Sequence, residues 1–271
     1  MKRIKRPWTL EMLSHNLRVI GLVSFLWQAV IGTAADMTAD QVRELIAKTD
    51  SGVAAQLAGK DLSGLDLSRI DFKRANLAKA NLFGSKLVLA NLSNANLAGA
   101  NLNGAWLMGT DFRGADLSNG MLMSLVIVGG EVTQRPNFAN ANLSGARIIA
   151  ELDGTNFAGA NLAKARLGVD IKNQGMGQMR TNLTSANLAG TDLSGADLNR
   201  SILRFANLRG AKLAGADLFR ADLSRADLTG ADLSGANLAE ADLDGTILRE
   251  VKGIEAAKGL DRAVHRDRAL Y

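Results

Sequence analysis

Asparagine or aspartate recurs at every fifth residue along most of this chain, each followed by leucine: Asn76-Leu77, Asn81-Leu82 and Asn91-Leu92, and later Asp217-Leu218, Asp222-Leu223 and Asp227-Leu228. Carboxylates at this density are the raw material of acid–base catalysis or cation binding, and the serines between them are potential nucleophiles. Each chemistry needs more than supply. A nucleophilic serine needs an adjacent base, and the two histidines, His15 and His265, stand near opposite ends of the sequence. Cysteine is absent, which removes thiolate ligands, disulfides and a cysteine nucleophile. The period itself accounts for the acids, because they hold a fixed place in each unit. No phosphate-loop motif and no metal-ligand cluster is present. The sequence predicts no catalytic residue, no metal and no cofactor, and His265 reads as a surface residue of the tail.

The elements that would position any site follow from composition and period. The 271 residues are 47 % hydrophobic and 22 % charged, with 28 Gly, 2 Pro and only 4 % aromatics. Few aromatics suit a narrow core of Leu and Ala rather than a wide globular one. The formal net charge of +5 is unevenly spread: residues 1–35 carry +4 of it and the tail from Arg249 carries +2, leaving the body near −1. A near-neutral body implies neither a polyanion-binding surface nor a strongly acidic one. Nucleic acid is therefore not an expected partner.

The first 35 residues have the order of a secretory signal. A basic start (Lys2, Arg3, Lys5, Arg6) precedes the apolar run 19–32 and then Thr33-Ala34-Ala35. The run is shorter than the roughly 20 residues of a membrane-spanning helix. Cleavage after Ala35 would leave Asp36 as the new N-terminus. Met12 is an alternative start, and retention of residues 19–32 as a membrane anchor is the alternative fate.

The repeating unit is Ala-(Asp/Asn)-Leu-x-x, with Ala75, Ala80, Ala90, Ala216, Ala221 and Ala226 two residues before their Leu. A period of five fits neither an α-helix nor a plain strand. The unit resembles that of the pentapeptide-repeat family over most of residues 61–248. The resemblance implies an all-β solenoid, a right-handed quadrilateral β-helix in which four units make one square coil. The central Leu or Phe and the Ala two before it would point inward, with the other positions facing solvent. Some members of that family resemble duplex DNA in charge and width and act on type II topoisomerases; that role needs an acidic surface and a cytoplasmic location.

The phase of five divides the chain. Central positions run from Leu62 to Val132, resume at Phe138, Leu143 and Ile148, slip to Phe157, Leu162 and Leu167, and run again from Leu183 to Leu248. The slips predict loops at 133–136, 149–155 and 168–180. A helical cap is expected over 36–60, where Thr38 and Gln41 can form a capping box ahead of Val42, Leu45 and Ile46, with Val53 and Leu57 continuing it. A second helical cap is expected over 249–271, where Ile254, Ala257, Leu260 and Val264 have helical spacing.

A coil of twenty residues stacks positions twenty apart. Lys86, Trp106 and Val126 then form one outward column and Val88, Met108 and Val128 the next, beside Leu89, with Phe83, Met121 and Met123 on the neighbouring face. Contiguous exposed apolar surface marks an interface, and Trp is a favoured anchor. Either a protein partner, a second copy, or the chain's own 168–180 insertion or N-terminal cap would cover this face. In the last block Arg200, Arg204, Arg220 and Arg225 form a basic patch able to grip a carboxylate or phosphate, unless Asp197, Asp217 and Asp222 neutralise it. The column Asp192, Lys212 and Asp232 alternates in sign. The expected role is a non-catalytic scaffold that binds protein, in the periplasm or another exported compartment.

Overall fold

A computed structural model describes residues 35–49, 54–129, 131–169 and 180–271. The expected signal segment, apart from Ala35, and the centre of the 168–180 insertion lie outside the described residues.

Each repeat unit makes a short extended side and a tight corner. At one corner Ala75 N–H donates to Phe72 O at 2.8 Å, and Arg74 between them sits at φ 62°. Four such corners close a coil, and the chain then runs parallel to itself one level higher. Leu67 N–H donates upward to Lys86 O, and Lys86 N–H donates downward to Leu65 O, both at 2.8 Å. Repeated on every side, these bonds build four parallel ladders. Side one runs from Gln56 to Lys252, side two from Asp61 to Lys258, and side four from Asp71 to Leu270. Side three runs Asp66–Lys86–Trp106–Val126 and then Glu151–Asn182–Ile202–Asp222–Asp242–Val264. The only three-residue strands among the described residues, β1 (Met121–Met123) and β2 (Arg147–Ile149), are one rung of side two.

The interior is what the period requires. Leu62, Leu82 and Leu102 stack in one buried column, and the small Ala of each unit fills the corner beside the large residue. Alternating large and small side chains pack a narrow square without voids. On side four Phe112, Phe138 and Phe157 stack with centroids 4.8 and 5.0 Å apart and nearly parallel rings.

The lower end is capped by α1 (Ala39–Lys48), whose Thr38–Gln41 capping box is formed in both directions. Val42 is fully buried against the first coil. Asp36 N–H donates to Asp61 O, Asp61 N–H to Asp36 Oδ2, and Arg43 reaches Asp66 O at 2.9 Å. The open edge of the first coil is thereby engaged.

Four expectations need correction. Leu57 is not part of the cap: its N–H donates to Asn76 O and its side chain is buried, so the first coil begins below residue 61. Val132 is not a central residue; the last one before the slip is Ile127, and Val132 pairs antiparallel with Gly129 in a small excursion. Residues 149–155 are not a loop. Ile148 and Leu152 are successive buried central residues, so this side is one residue short and its coil is 19 residues, as in Asn137–Asn156.

The C-terminal segment is not an α-helix. It is a further coil with six-residue sides, pairing Lys252, Lys258, Val264 and Leu270 to the coil below, with 3₁₀ turns at Ile254–Ala256, Leu260–Arg262 and Arg266–Arg268. Gly253, Gly259 and His265 hold the left-handed corners. A Cβ on Gly253 would meet Ser234 Oγ at 2.1 Å, so that corner needs glycine for space as well as for backbone.

Leu223 is buried at the centre of side three, two coils from the upper end. Leu223→Asp places a carboxylate without a partner inside the rod, at a cost of about 4 kcal/mol or more. The expected outcome is a large fall in the urea midpoint; unchanged stability would contradict the inward assignment.

Candidate protein-binding side

The outward residue before each central Leu performs two bonds at once. Its Oδ1 accepts from the backbone N–H two residues on, as Asp61 does from Ser63 at 2.9 Å and Asn101 from Asn103 at 3.1 Å. Where it is asparagine, its Nδ2 also donates to the residue one coil below. Asn101 donates to Asn81 at 3.0 Å, Asn156 to Asn137 at 3.1 Å, and Asn187 to Asn156 at 3.2 Å. Asx turns of this kind fix the corner. Sides one and four are almost wholly built from such rungs, so the acids and amides have structural employment there.

Side three departs from this pattern. Trp106, 40 % exposed, stands between Lys86 and Val126, with the Lys86 ammonium 5.6 Å from its ring centroid. Phe83, 55 % exposed, and Met123 lie in one column at the corner of sides two and three, separated by Asn103. Met121 is exposed on side two, over Asn101 and under Arg147. Val128 is exposed beyond the upper corner.

The expected second column is not an exposed one. Val88 and Leu89 are half-buried and Met108 is only 4 % exposed. The coil above Met108 carries six extra residues, as Asp111–Asn137 shows, so Gly109 N–H donates to Gln134 O at 2.7 Å where Val128 was expected. A Cβ on Gly109 would lie 2.6 Å from Leu89 and 3.5 Å from Val132. Part of the apolar face is therefore covered by the 129–136 excursion. Phe83 and Trp106 remain exposed, and Met123 and Val126 are half-buried beside them.

The basic patch lies on the same side, four to five coils higher. Arg220 pairs with Glu240 at 2.7 Å and lies over Phe219, and Arg204 approaches Asp222 at 3.8 Å. Arg204 and Arg225 lie over the ring of Phe205, at 5.9 and 5.6 Å. Neither Arg200 nor Arg225 has a carboxylate partner among the described residues, and Arg200 Nε is buried without a hydrogen bond. Of the three acids expected to neutralise the patch only Asp222 does so, approaching Arg204, while Arg220 is held by Glu240 instead. Sequence reasoning missed the aromatic members, Phe205 and Phe219; their signal was an outward Phe in a polar place. On side one Lys212 reaches Asp192 only at 4.0 Å, and His265 contacts Asp242 at 2.9 Å.

Among the described residues the interior of the rod is filled by columns of Leu, Phe and Ala, and the variable residues all stand on its outer sides. That places it among solenoid proteins. The chain belongs to the pentapeptide repeat family, whose eight-copy model matches residues 53–87, 90–123, 179–215 and 216–252. Its fold is accordingly the right-handed quadrilateral β-helix of that family. Among solved structures it is similar to HetL, a pentapeptide repeat protein involved in heterocyst differentiation regulation from the cyanobacterium Nostoc sp. strain PCC 7120. The identity is 30 %, over 86 % of this chain and 94 % of that one, with a TM-score of 0.62. QnrB1, a plasmid-mediated fluoroquinolone resistance protein, is 19 % identical over 75 % of this chain and 90 % of that one, with a TM-score of 0.33. A pentapeptide repeat protein of the Arabidopsis thaliana thylakoid lumen is 36 % identical over 44 % of this chain and 70 % of that one, with a TM-score of 0.19. No curated protein matches the chain.

The Asx carboxylates give the rod an acid limit. Hydrogen bonds from Ser68 hold Asp66 below the usual carboxylate range, those from Ser234 do so for Asp232, and the Arg113 guanidinium does so for Asp111. At Asp192 and Asp227 burial is the largest influence and opposes ionisation. Hydrogen bonds from Ser194, and from Thr229 with Arg209, together outweigh it. A carboxyl lowered on folding stabilises the folded state when ionised. That contribution is complete above the unfolded value of about 3.9 and is lost as pH falls through the folded one. The urea midpoint should therefore fall below about pH 4. Asp→Asn at these five positions keeps the Oδ1 acceptor and should flatten that limb; an unaltered acid limb would contradict the assignment.

Proposed function

We propose that this protein is a non-catalytic, protein-binding rod that acts outside the cytoplasm and uses side three as its interface. The observation that carries this reading is the pair of exposed aromatics Phe83 and Trp106, with half-buried Met123 and Val126 beside them, at the lower end of side three. Large aromatics in such a setting are typical anchors of interfaces. The occupant is a protein partner or a second copy of this chain. HetL, a 30 % identical pentapeptide repeat protein, is involved in heterocyst differentiation regulation, a role compatible with a binding rod. Export rests on the basic start, the apolar run 19–32 and Thr33-Ala34-Ala35.

Trp106→Asp tests the interface. Trp106 points away from the core, so the melting temperature should stay within a few degrees, while association, read as self-association by light scattering and as partner recovery from an extracytoplasmic extract, should fall at least tenfold, about 1.4 kcal/mol. An unchanged association sinks the interface; a large loss of stability assigns Trp106 to folding instead. For export, the intact mass of the soluble mature chain should correspond to a start near Asp36. A soluble form retaining Met1 or Met12 would refute it.

A further inference from the structure

Nearly every corner of the rod holds a left-handed residue, and glycine adopts that conformation without penalty. In the last block the two corners bounding side one obey this economy on each of three coils: Gly190, Gly195, Gly210, Gly215, Gly230 and Gly235. The corners bounding side three do not. Arg200, Arg220 and Glu240 occupy one edge, and Phe205, Arg225 and Gly245 the other, with φ between 56° and 64°. Five of six positions hold large side chains in a conformation that L-residues resist by roughly 1–2 kcal/mol each. Non-glycine residues hold left-handed corners elsewhere in the rod too, among them Arg74, Lys79 and Lys164, and what sets side three apart is the run of large side chains on both of its edges at successive levels.

The side chains at these corners converge in character. Phe205 is 46 % exposed and carries two guanidiniums over its ring, those of Arg204 and Arg225. Arg225 and Arg200 have no carboxylate partner among the described residues, whereas Arg220 is already held by Glu240. Arg225, stacked on the Phe205 ring, holds its planar donors in a fork suited to a carboxylate, and Arg200 stands at the opposite edge of the same side, outside that stack. Asp222 stands on the coil of Arg225 and Asp242 and Asp244 on the coil above, so an anionic chain running on past the patch would meet these acids, and the site suits a short acidic segment rather than a long polyanion.

We propose that the corner residues Arg200, Phe205 and Arg225 of side three form a grip for an acidic segment of a protein partner, the carboxylates meeting the two unpaired guanidiniums and an adjacent apolar side chain meeting the Phe205 ring. This rests on the protein-binding reading and adds the partner's chemistry to it.

The test joins stability and binding in one variant. Arg200→Gly/Arg225→Gly relieves two strained corners, so the melting temperature should stay within about 2 °C of the parent or rise. Binding is read by fluorescence anisotropy with a labelled ten-residue peptide of Glu interspersed with Leu, its Lys-for-Glu counterpart, and single-stranded oligothymidylate. The Glu peptide should bind, weaken as salt rises, and lose at least tenfold affinity in the variant; the Lys peptide should not bind. A fall in melting temperature without loss of Glu-peptide affinity makes these corners structural and overturns the proposal. So does failure of the Glu peptide to bind, equal binding of the Lys peptide, or tighter binding of the oligonucleotide. Trp106→Asp separates the two readings. If it leaves association untouched while the Arg variant loses the peptide, the apolar interface fails and the grip stands; the reverse result overturns the grip alone.

Discussion

Each coil must return to the hydrogen-bond register of the coil beneath it, and that constraint governs the rest of the molecule. Each side makes backbone bonds to the levels above and below, and its side chains go to the core or the surface. A corner residue keeps its N–H bond to the coil above but carries less of the pairing, and so tolerates inserted residues beside it. Length changes are consequently found at corners. The six extra residues around 129–136 leave between sides three and four, the 168–180 insertion leaves between sides two and three, and the one-residue shortening between Ile148 and Leu152 lies at that same corner. On side four the Phe112–Phe138–Phe157 stack crosses these irregular levels with spacings of 4.8 and 5.0 Å. Those spacings are close to the inter-strand distance, so the stack matches the levels while neighbouring corners vary.

The same constraint explains the choice between asparagine and aspartate. Either residue can accept the corner N–H, but only asparagine can also donate to the rung below. Long asparagine runs, such as Asn137, Asn156, Asn187 and Asn207 on side four, therefore bind successive coils to one another. Stacked aspartates repel and need nearby cations. Asp222 and Asp242 are neighbours on side three, where Arg204 supplies the cation beside Asp222 and the His265 ring contacts Asp242. The near-neutral charge of the repeat body is the sum of such local balances.

A fixed period makes the interior legible, because Leu and Ala two residues apart satisfy only one packing. It stops being a guide where the period changes. The six-residue coil at the upper end places Val251, Ala257, Ala263 and Ala269 at equivalent positions, and Ile254 and Leu260 likewise. Sides of six residues put Ile254, Ala257 and Leu260 three apart, with Val264 four further on, and this spacing imitates a helical stripe. The distinguishing signal was Gly253 and Gly259 with His265, six apart, at places a helix would not choose. The surface was legible only where no corner insertion intervened. Trp106 over Lys86 follows from a twenty-residue coil. Met108 does not: its upper neighbour is set by an excursion whose path no period encodes.

Rigidity then bears on recognition. Binding costs conformational freedom in both partners, and a surface already fixed in the free protein loses less of it. The corners of side three carry their Arg and Phe side chains on backbone that the ladders above and below hold in place, as in Arg200 N–H to Phe219 O at 2.8 Å and Arg225 N–H to Asp244 O at 2.8 Å. Cation–ring stacking restrains the guanidiniums further. Glycine at the same corners would relax the backbone but present nothing. A solenoid with a closed core has only its outward positions to spend on function, and strain at a corner is tolerable because each level is bonded to two others. The cooperative ladder that makes the interior monotonous is what lets one side of the rod be idiosyncratic.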